Sequence, residues 1–199
     1  NEYTYIIPMK NTGKLCIFSS SGSMYQVKAM SIPKTRSRDK GVLIQTLCKI
    51  GKDDIITYIA FDDLSESQLL FISKSGYVKL VSGIEFETNR SVIASTKLEK
   101  EDTLVCIQPV TVEESIADNR NVLMVTEKGS VLLFPLNQTG EFKKTSKGLK
   151  GISLAKGDML AYACITSPED TDIEFNNKHY NPQKIKLKNR NDKPVKIKL

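Results

Sequence analysis

The sequence has no tryptophan and a single histidine, His179, and the scarcity of histidine limits the metal-binding and acid–base sites that the chain can form. Its four cysteines are widely separated and form no Cys-x-x-Cys pair: Cys16, Cys48, Cys106 and Cys164. Structural zinc sites need His and Cys ligands at short spacings, so the sequence predicts no metal ion. The cysteines lie mostly in apolar runs, which predicts buried, reduced thiols and a cytoplasmic protein.

Motifs of membrane insertion and of catalysis are also missing. No run approaches the roughly 18 apolar residues of a membrane-spanning helix, and helical periodicity is almost absent. The chain has no Gly-x-x-x-x-Gly-Lys-Ser/Thr loop, no Gly-x-Ser-x-Gly elbow and no histidine-based metal motif. The adjacent acids at 53–54 and 62–63 stand in turn contexts and indicate solvated turns. We therefore expect no catalytic residue, no cofactor and no contact with a membrane.

What the sequence does contain is a motif that recurs about every 53 residues. A small polar turn and a glycine follow an apolar run in residues 15–22 (LCIFSSSG), 69–76 (LLFISKSG) and 122–129 (VLMVTEKG). A second mixed run, such as residues 77–81, comes after each glycine. This pattern predicts a β-hairpin in which glycine supplies the positive φ of the turn. A fixed period of this length indicates a repeat architecture.

Each repeat extends well beyond its hairpin. A second glycine follows nineteen residues after the first, at Gly41 and Gly148. Each unit then closes with an apolar run, found at residues 57–60, 104–107 and 161–164. Four strands per unit follow, which is one blade of an all-β, propeller-like fold. Residues 4–7 resemble the closing run and no initiator Met precedes them, so we expect a piece of a longer protein.

The expected organisation of residues 1–199 is a single domain. Its parts are the end of a truncated blade at 1–8, blades at 15–61, 69–107 and 122–165, and a partial blade or basic tail at 173–199. A fourth hairpin is expected at 173–177, with asparagine in place of glycine at its turn. Acidic segments recur between the blades, and we interpret them as solvated loops: residues 62–66, 113–118 and 168–172.

The net charge of +6 is unevenly distributed. Residues 178–199 have eight bases and one acid and carry +7, which leaves −1 for the rest. Bases nevertheless cluster at the same place in two repeats, near the second glycine: Lys34, Arg36, Arg38 and Lys40, and then Lys143, Lys144, Lys147 and Lys150. Adjacent blades would align such clusters along one edge, which favours a polyanion partner. The alternative is that these lysines only keep the protein soluble.

The C-terminal tail alternates lysine with aliphatic residues at 184–188 and 195–199. A period of two gives a strand one apolar and one basic face. Two interpretations are compatible with this pattern. The lysines protect an edge strand against aggregation, or they add contacts to phosphates.

Residues 142–154 (FKKTSKGLKGISL), followed by Gly157 and Asp158, resemble a blade signature of the C-terminal domain of the A subunit of bacterial type IIA topoisomerases, DNA gyrase and topoisomerase IV. Residues 126–131 (TEKGSV) and 73–79 (SKSGYVK) resemble the hairpin of the same family. The resemblance covers about residues 3–165. It implies a β-pinwheel, in which blades exchange strands with their neighbours, and duplex DNA bent around a basic rim.

The resemblance further implies a role without catalysis for this chain. In the family, the parent is an ATP-dependent topoisomerase whose catalytic tyrosine lies in another part of the A subunit. The expected partners are therefore double-stranded DNA, the remainder of the A subunit and the B subunit, with this piece monomeric. Gyrases of the family carry a Gln-Arg-Arg-Gly-Gly-Lys-Gly box, which neither residues 37–41 nor 146–151 match. This favours a topoisomerase IV-like domain, or a gyrase-like one with weak wrapping.

The candidate DNA-binding residues are the bases of the two clusters and two bases of the middle repeat. They are Lys34, Arg36, Arg38, Lys40, Lys79, Arg90, Lys143, Lys144, Lys147 and Lys150, with Lys28 and Lys128 as further candidates. The alternative function is a propeller that binds other proteins and not DNA. The Trp-Asp dipeptides of the commonest interaction propellers are absent.

Overall fold

A computed structural model of the chain describes residues 3–51 and 54–197. Asp53, which the sequence places in a solvated turn, lies outside the described residues, as do the first two and last two positions. Within the described part, no helix has the length and apolar character needed to cross a membrane.

Strands dominate the described residues. In chain order they are β1 (Lys14–Ser19), β2 (Ser23–Lys28), β3 (Ile55–Ala60), β4 (Gln68–Ser73), β5 (Tyr77–Ser82), β6 (Val92–Ala94), β7 (Leu104–Val110), β8 (Asn121–Thr126), β9 (Ser130–Pro135), β10 (Leu149–Lys150), β11 (Leu160–Thr166), β12 (Ile173–Phe175), β13 (Lys178–Tyr180) and β14 (Val195–Lys196). The helices are short: α1 (Ile44–Leu47), α2 (Phe61–Ser65) and α3 (Val112–Ile116), with single 3₁₀ turns at Ala29–Ser31, Gly83–Phe86, Leu136–Gln138 and Pro182–Lys184.

The predicted hairpins are confirmed. Strands β1–β2, β4–β5 and β8–β9 pair antiparallel around the repeated motif. Gly22, Gly76 and Gly129 adopt φ values of 84°, 87° and 79° at the three turns, a region that costs other residues about 1–2 kcal/mol. The fourth hairpin is present as β12–β13, and Asn176 and Asn177 take positive φ at its turn.

Each four-stranded sheet borrows one edge strand from the following repeat. The strand orders are β3-β1-β2-β6, β10-β5-β4-β7 and β11-β8-β9-β14. The hairpin and one edge strand (β3, β7 or β11) come from one repeat, whereas β6, β10 and β14 arrive from the next. This exchange makes the protein an all-β, propeller-like β-pinwheel, as expected.

The sheets converge along one edge. Strand β7 lies beside both β3 and β11, which are the corresponding strands of the neighbouring sheets. The exchanged strands β6, β10 and β14 therefore occupy the opposite edge of each sheet. The apolar core fills the spaces between adjacent sheets serially, with Phe18, Phe71 and Phe86 in mutual edge-on or stacked contact between the first two.

In the second and third repeats, the acid that precedes the closing strand braces the hairpin turn. The Asp102 carboxylate accepts hydrogen bonds from the backbone N–H of Ser75 (2.9 Å) and of Thr103 (2.9 Å). In the next repeat, Asp158 accepts from Lys128 (3.2 Å) and Met159 (3.0 Å) in the same way. Both carboxylates are buried, so this recurring acid has a structural role.

The interpretation of two acidic segments as loops is wrong. Residues 62–66 fall largely in α2, and residues 113–118 begin within α3. Asp62, Asp63, Glu113 and Glu114 occupy the first helical turn, where the helix dipole favours negative charge. Thr111 caps α3 through its side chain. One turn of helix is too short to produce a visible periodicity. The third segment, 168–172, does lie outside regular structure.

All four cysteines are free thiols. Cys16 and Cys106 are buried, whereas Cys48 and Cys164 are half-buried. Burial raises the pKa of the Cys16 and Cys106 thiols to about 12. The nucleophilic thiolate is therefore suppressed at both positions.

Gly129 and Gly148 have similar positive φ values but differ in the space around them, so substitutions there distinguish the cost of backbone strain from the cost of a steric clash. Gly148 has φ 85°, and a Cβ there would meet the Val78 carbonyl oxygen at 2.5 Å, whereas a Cβ at Gly129 would meet nothing within 4 Å. We expect Gly129→Ala to lower the free energy of unfolding by about 1 kcal/mol. Gly148→Ala should cost about 2–4 kcal/mol because the exchanged strand must also move. Urea unfolding measures both, and equal losses would contradict the tight approach of β10 to β5.

Candidate nucleic-acid interface

Five of the candidate bases lie on the segments that carry the strand exchange. We call these the crossover segments: residues 87–94, 140–150 and 186–196, which leave one hairpin and add an edge strand to the preceding sheet. Arg90 lies on the first crossover segment. Lys143, Lys144, Lys147 and Lys150 lie on the second. Arg90 and the second basic cluster thus share one structural position, the exchanged edge of the sheets, whereas the first cluster lies on none of the three crossover segments.

The second crossover segment is fastened to β5 at both ends. At its start, Leu80 donates its N–H to the Gly140 carbonyl (3.1 Å), and Phe142 donates to the Leu80 carbonyl (2.8 Å). At its end, β10 pairs Leu149 with Val78 and Lys150 with Tyr77. The residues between these anchors form a loop on the sheet edge. That loop contains three of the candidate bases.

Lys79 holds this loop from beneath. Its ammonium donates hydrogen bonds to the backbone carbonyls of Lys143 (3.2 Å) and Lys144 (3.0 Å) and to that of Ser146. The same nitrogen lies 5.5 Å from the centre of the Phe71 ring. Burial lowers the pKa of Lys79 from 10.5 to about 8, although the charge of Glu85 opposes this.

The prediction that Lys79 contacts DNA is therefore wrong. Only 1% of its surface is exposed, so a phosphate cannot reach the ammonium without opening the loop. The alternating pattern of β5 places this side chain beneath the crossover segment, which covers it. Its contribution is to the shape of the loop that displays Lys143, Lys144 and Lys147.

Two carboxylates neutralise part of the displayed charge. Glu85 pairs with the Lys143 ammonium at 3.2 Å and accepts the backbone N–H of Lys144 at 3.0 Å. Burial alone would raise the pKa of Glu85, but these bonds lower it overall. Glu99 forms an ion pair with Lys147, and the hydrogen bond from that lysine lowers the pKa of Glu99.

Tyr77 lies beneath the end of the second crossover segment. The ammonium groups of Lys147 and Lys150 are 5.0 Å and 4.2 Å from the centre of its ring. The Lys150 ammonium also donates to the Ser75 carbonyl at 3.2 Å. Cation–π contacts of this kind keep the charge at the surface while they fix the side chain.

A cavity of about 580 Å³ separates the first and second crossover segments. Three bases line it, Arg90, Lys97 and Lys144, together with one acid, Glu87, and the hydroxyl groups of Thr88, Thr96 and Thr145. Cations and hydroxyl groups that converge from two repeats can bind an anion the size of a phosphate group. Lys97 was missed by the sequence analysis because no other repeat has a base at the corresponding place.

The first basic cluster is exposed but separate. Lys34, Arg36, Arg38 and Lys40 all lie on the surface, after β2, and within the described residues none of their side chains forms an ion pair. No hydrogen bond or ion pair between described residues joins this cluster to residues 143–150. The further candidate Lys128 donates to the Lys156 carbonyl at the hairpin turn, and Lys28 ends β2 with an exposed side chain.

The sequence model of the family described as "DNA gyrase C-terminal domain, beta-propeller" matches residues 13–61, 67–111 and 120–164. These three matches correspond to the three repeats and cover more than half of the chain. The chain belongs to this family. The match ends before β12, so the fourth hairpin and the third crossover segment lie beyond it.

Curated relatives of the chain include A subunits of DNA gyrase. The Helicobacter pylori protein is 29% identical over 163 residues, which are 80% of this chain and 19% of that protein. The Staphylococcus epidermidis protein is 26% identical over 171 residues, 84% of this chain and 18% of that one. The chain thus spans about a fifth of the length of these relatives.

Solved structures share the fold of this gyrase-family domain. The C-terminal domain of DNA topoisomerase IV has a TM-score of 0.83 at 20% identity, over 96% of this chain and 60% of that one. The E. coli ParC C-terminal domain has a TM-score of 0.73 at 17% identity, over 95% and 78%. A DNA gyrase A C-terminal domain has a TM-score of 0.66 at 22% identity, over 94% and 60%.

The buried ammonium of Lys79 should be visible in the pH dependence of stability. In the folded domain Lys79 loses its proton near pH 8, and in the unfolded chain near 10.5. The unfolded chain binds more protons between these values, so stability should rise with pH across that window. Lys79→Met should remove this rise, which is on the order of 3 kcal/mol. Urea unfolding at several pH values measures it, and identical pH profiles for both proteins would contradict a buried ammonium.

Proposed function

We propose that this domain binds duplex DNA through its phosphate backbone, without reading the base sequence, and holds the duplex bent. The observation that carries the proposal is the recurrence of bases on successive crossover segments, all at the exchanged edge of the sheets. Phosphate contacts position a protein on DNA but carry no sequence information. A row of lysines and arginines from separate sheets is suited to that task.

The affinity would come from the release of counterions. Each phosphate that a lysine or arginine neutralises frees condensed cations, which gives binding that weakens with salt. Bending 20–30 base pairs by 40–90° costs about 1–6 kcal/mol, so several contacts must offset it. The proposed contacts are Lys34, Arg36, Arg38, Lys40, Arg90, Lys97, Lys143, Lys144, Lys147 and Lys150. Lys79 supports them from within.

The larger assembly is part of this proposal. The domain would serve the A subunit of a type IIA topoisomerase, with the strand-cleaving tyrosine and the B subunit elsewhere. The domain itself would bind and bend DNA without catalysis. Membership in the DNA gyrase C-terminal domain family supports this context.

Salt dependence tests the mechanism directly. For six phosphate contacts, the slope of log K against log salt should be near −5, from about −0.9 per contact. The slope should be the same for duplexes of unrelated sequence. Fluorescence anisotropy with labelled linear duplex measures it. A slope near zero, or binding to one sequence only, would contradict backbone binding and favour a protein-interaction module.

A triple substitution locates the contact surface. Replacement of Lys143, Lys144 and Lys147 by Gln should reduce the magnitude of the slope by about 2–3 and weaken binding. The matched control replaces Lys10, Lys49 and Lys156, which are exposed and lie outside the crossover segments, by Gln. The control removes the same charge and should retain most of the affinity. Equal losses in the two proteins would show that net charge alone drives binding.

Removal of a competing carboxylate should tighten binding. Glu99→Gln frees the Lys147 ammonium from its ion pair, and we expect about a three- to tenfold gain in affinity at low salt, since a further contact becomes available. Glu66→Gln removes the same charge from an exposed residue after α2 and is the control. If both variants gain equally, Glu99 does not compete with phosphate for Lys147.

A further inference from the structure

The C-terminal residues beyond the family match follow the path of the second crossover segment. After the β12–β13 hairpin, Leu187 lies parallel to Leu133 of β9, and Lys188 donates its N–H to the Leu133 carbonyl at 2.9 Å. In the preceding sheet, Glu141 lies parallel to Leu80 of β5 in the same manner. The chain therefore enters both sheets at corresponding points.

The two segments also end at corresponding points. Strand β14 pairs Lys196 with Ser130, the residue after the turn glycine Gly129. Strand β10 pairs Lys150 with Tyr77, the residue after Gly76. The same number of residues separates entry and exit in both segments, so their positions correspond one to one.

This correspondence places bases at equivalent positions in successive sheets. Lys144, Lys147 and Lys150 of the second crossover segment correspond to Arg190, Lys193 and Lys196 of the third. Sequence comparison alone does not reveal the match, because the residues between these bases differ. Backbone register is what aligns them.

The two crossover segments touch each other. The Arg190 guanidinium donates to the Lys150 carbonyl at 2.6 Å, and the Asn191 N–H donates to the Gly151 carbonyl at 2.8 Å. The Ser153 N–H donates to the Asp192 carbonyl at 3.1 Å. The basic positions of the second segment therefore continue onto the third without a gap.

Fewer lysine charges of the third crossover segment are neutralised by ion pairs than in the second. Lys193 and Lys196 are exposed, and no acid within the described residues forms an ion pair with either. The one acid of the segment, Asp192, is occupied by the backbone N–H of Asn189 at 3.0 Å. Lys143 and Lys147, in contrast, are paired with Glu85 and Glu99.

We propose that the third crossover segment is a further phosphate-binding strip, so that duplex DNA continues from the second sheet onto Lys193 and Lys196 of the third. The inference rests on the proposed function and extends it to residues outside the family match. The competing explanation is that these lysines only protect β14, an exposed edge strand, from pairing with other chains.

Substitution of two side chains separates these explanations. Lys193→Gln with Lys196→Gln should weaken binding to a 40-base-pair duplex about 10- to 60-fold at 0.1 M salt and reduce the magnitude of the salt slope by about 2. The matched control, Lys178→Gln with Lys184→Gln, removes two exposed lysines from the same tail outside the crossover segment and should change the slope by less than half as much. All variants are made in the 199-residue chain, and circular dichroism verifies the fold.

A second measurement uses the unaltered protein, so that its result does not depend on whether a variant folds correctly. Bound duplex should shield Lys193 and Lys196 from acetylation, as read by mass spectrometry, and should leave Lys178 reactive. If the protein binds DNA but neither shielding nor a slope change is found at these two lysines, the inference is overturned and the proposed function stands. If the unaltered protein does not bind duplex DNA at all, the proposed function is overturned and the inference with it.

Discussion

The exchange of one edge strand between successive repeats is the constraint on which the rest of the structure depends. A sheet of three strands would leave the second strand of its hairpin unpaired, and a segment from the next repeat supplies the missing partner. The chain must therefore cross from one sheet to its neighbour at the same edge each time. Because the second and third crossings share one backbone register, their bases recur at equivalent positions along that edge.

The interior of the sheets fixes the shape of the charged surface. The buried Lys79 ammonium donates hydrogen bonds to three backbone carbonyls of the loop above it. The other two matched repeats have Tyr25 and Leu132 at the equivalent position, three residues after the turn glycine. A buried, paired ammonium costs desolvation but orders the groups that bond to it. The lysines on that loop are thereby displayed in one arrangement, and Glu85 and Glu99 set how much of their charge is free.

The sequence predicts the local features and few of the long-range ones. The hairpins and the Asn176–Asn177 turn follow from apolar runs, turn residues and a fixed period, all of which are local signals. Strand exchange was implied only by resemblance, since no local pattern tells a strand which hairpin it joins. The sequence predicts that Lys79 is a surface base because the segment that covers it lies more than 60 residues later in the chain. The alternation in the basic tail predicts a strand but not the sheet that the strand joins, because backbone register, and not residue identity, aligns the tail with the preceding repeat.

The most direct test of the account is to map the amides that respond to duplex DNA by ¹H–¹⁵N NMR spectroscopy. The account predicts that chemical-shift changes concentrate on the crossover segments (87–94, 140–150 and 186–196), on Lys97 and on residues 34–40, and fade towards β3, β7 and β11 at the opposite edge. Changes centred on those converging strands, or spread evenly over the domain, would contradict a DNA path along the exchanged edge.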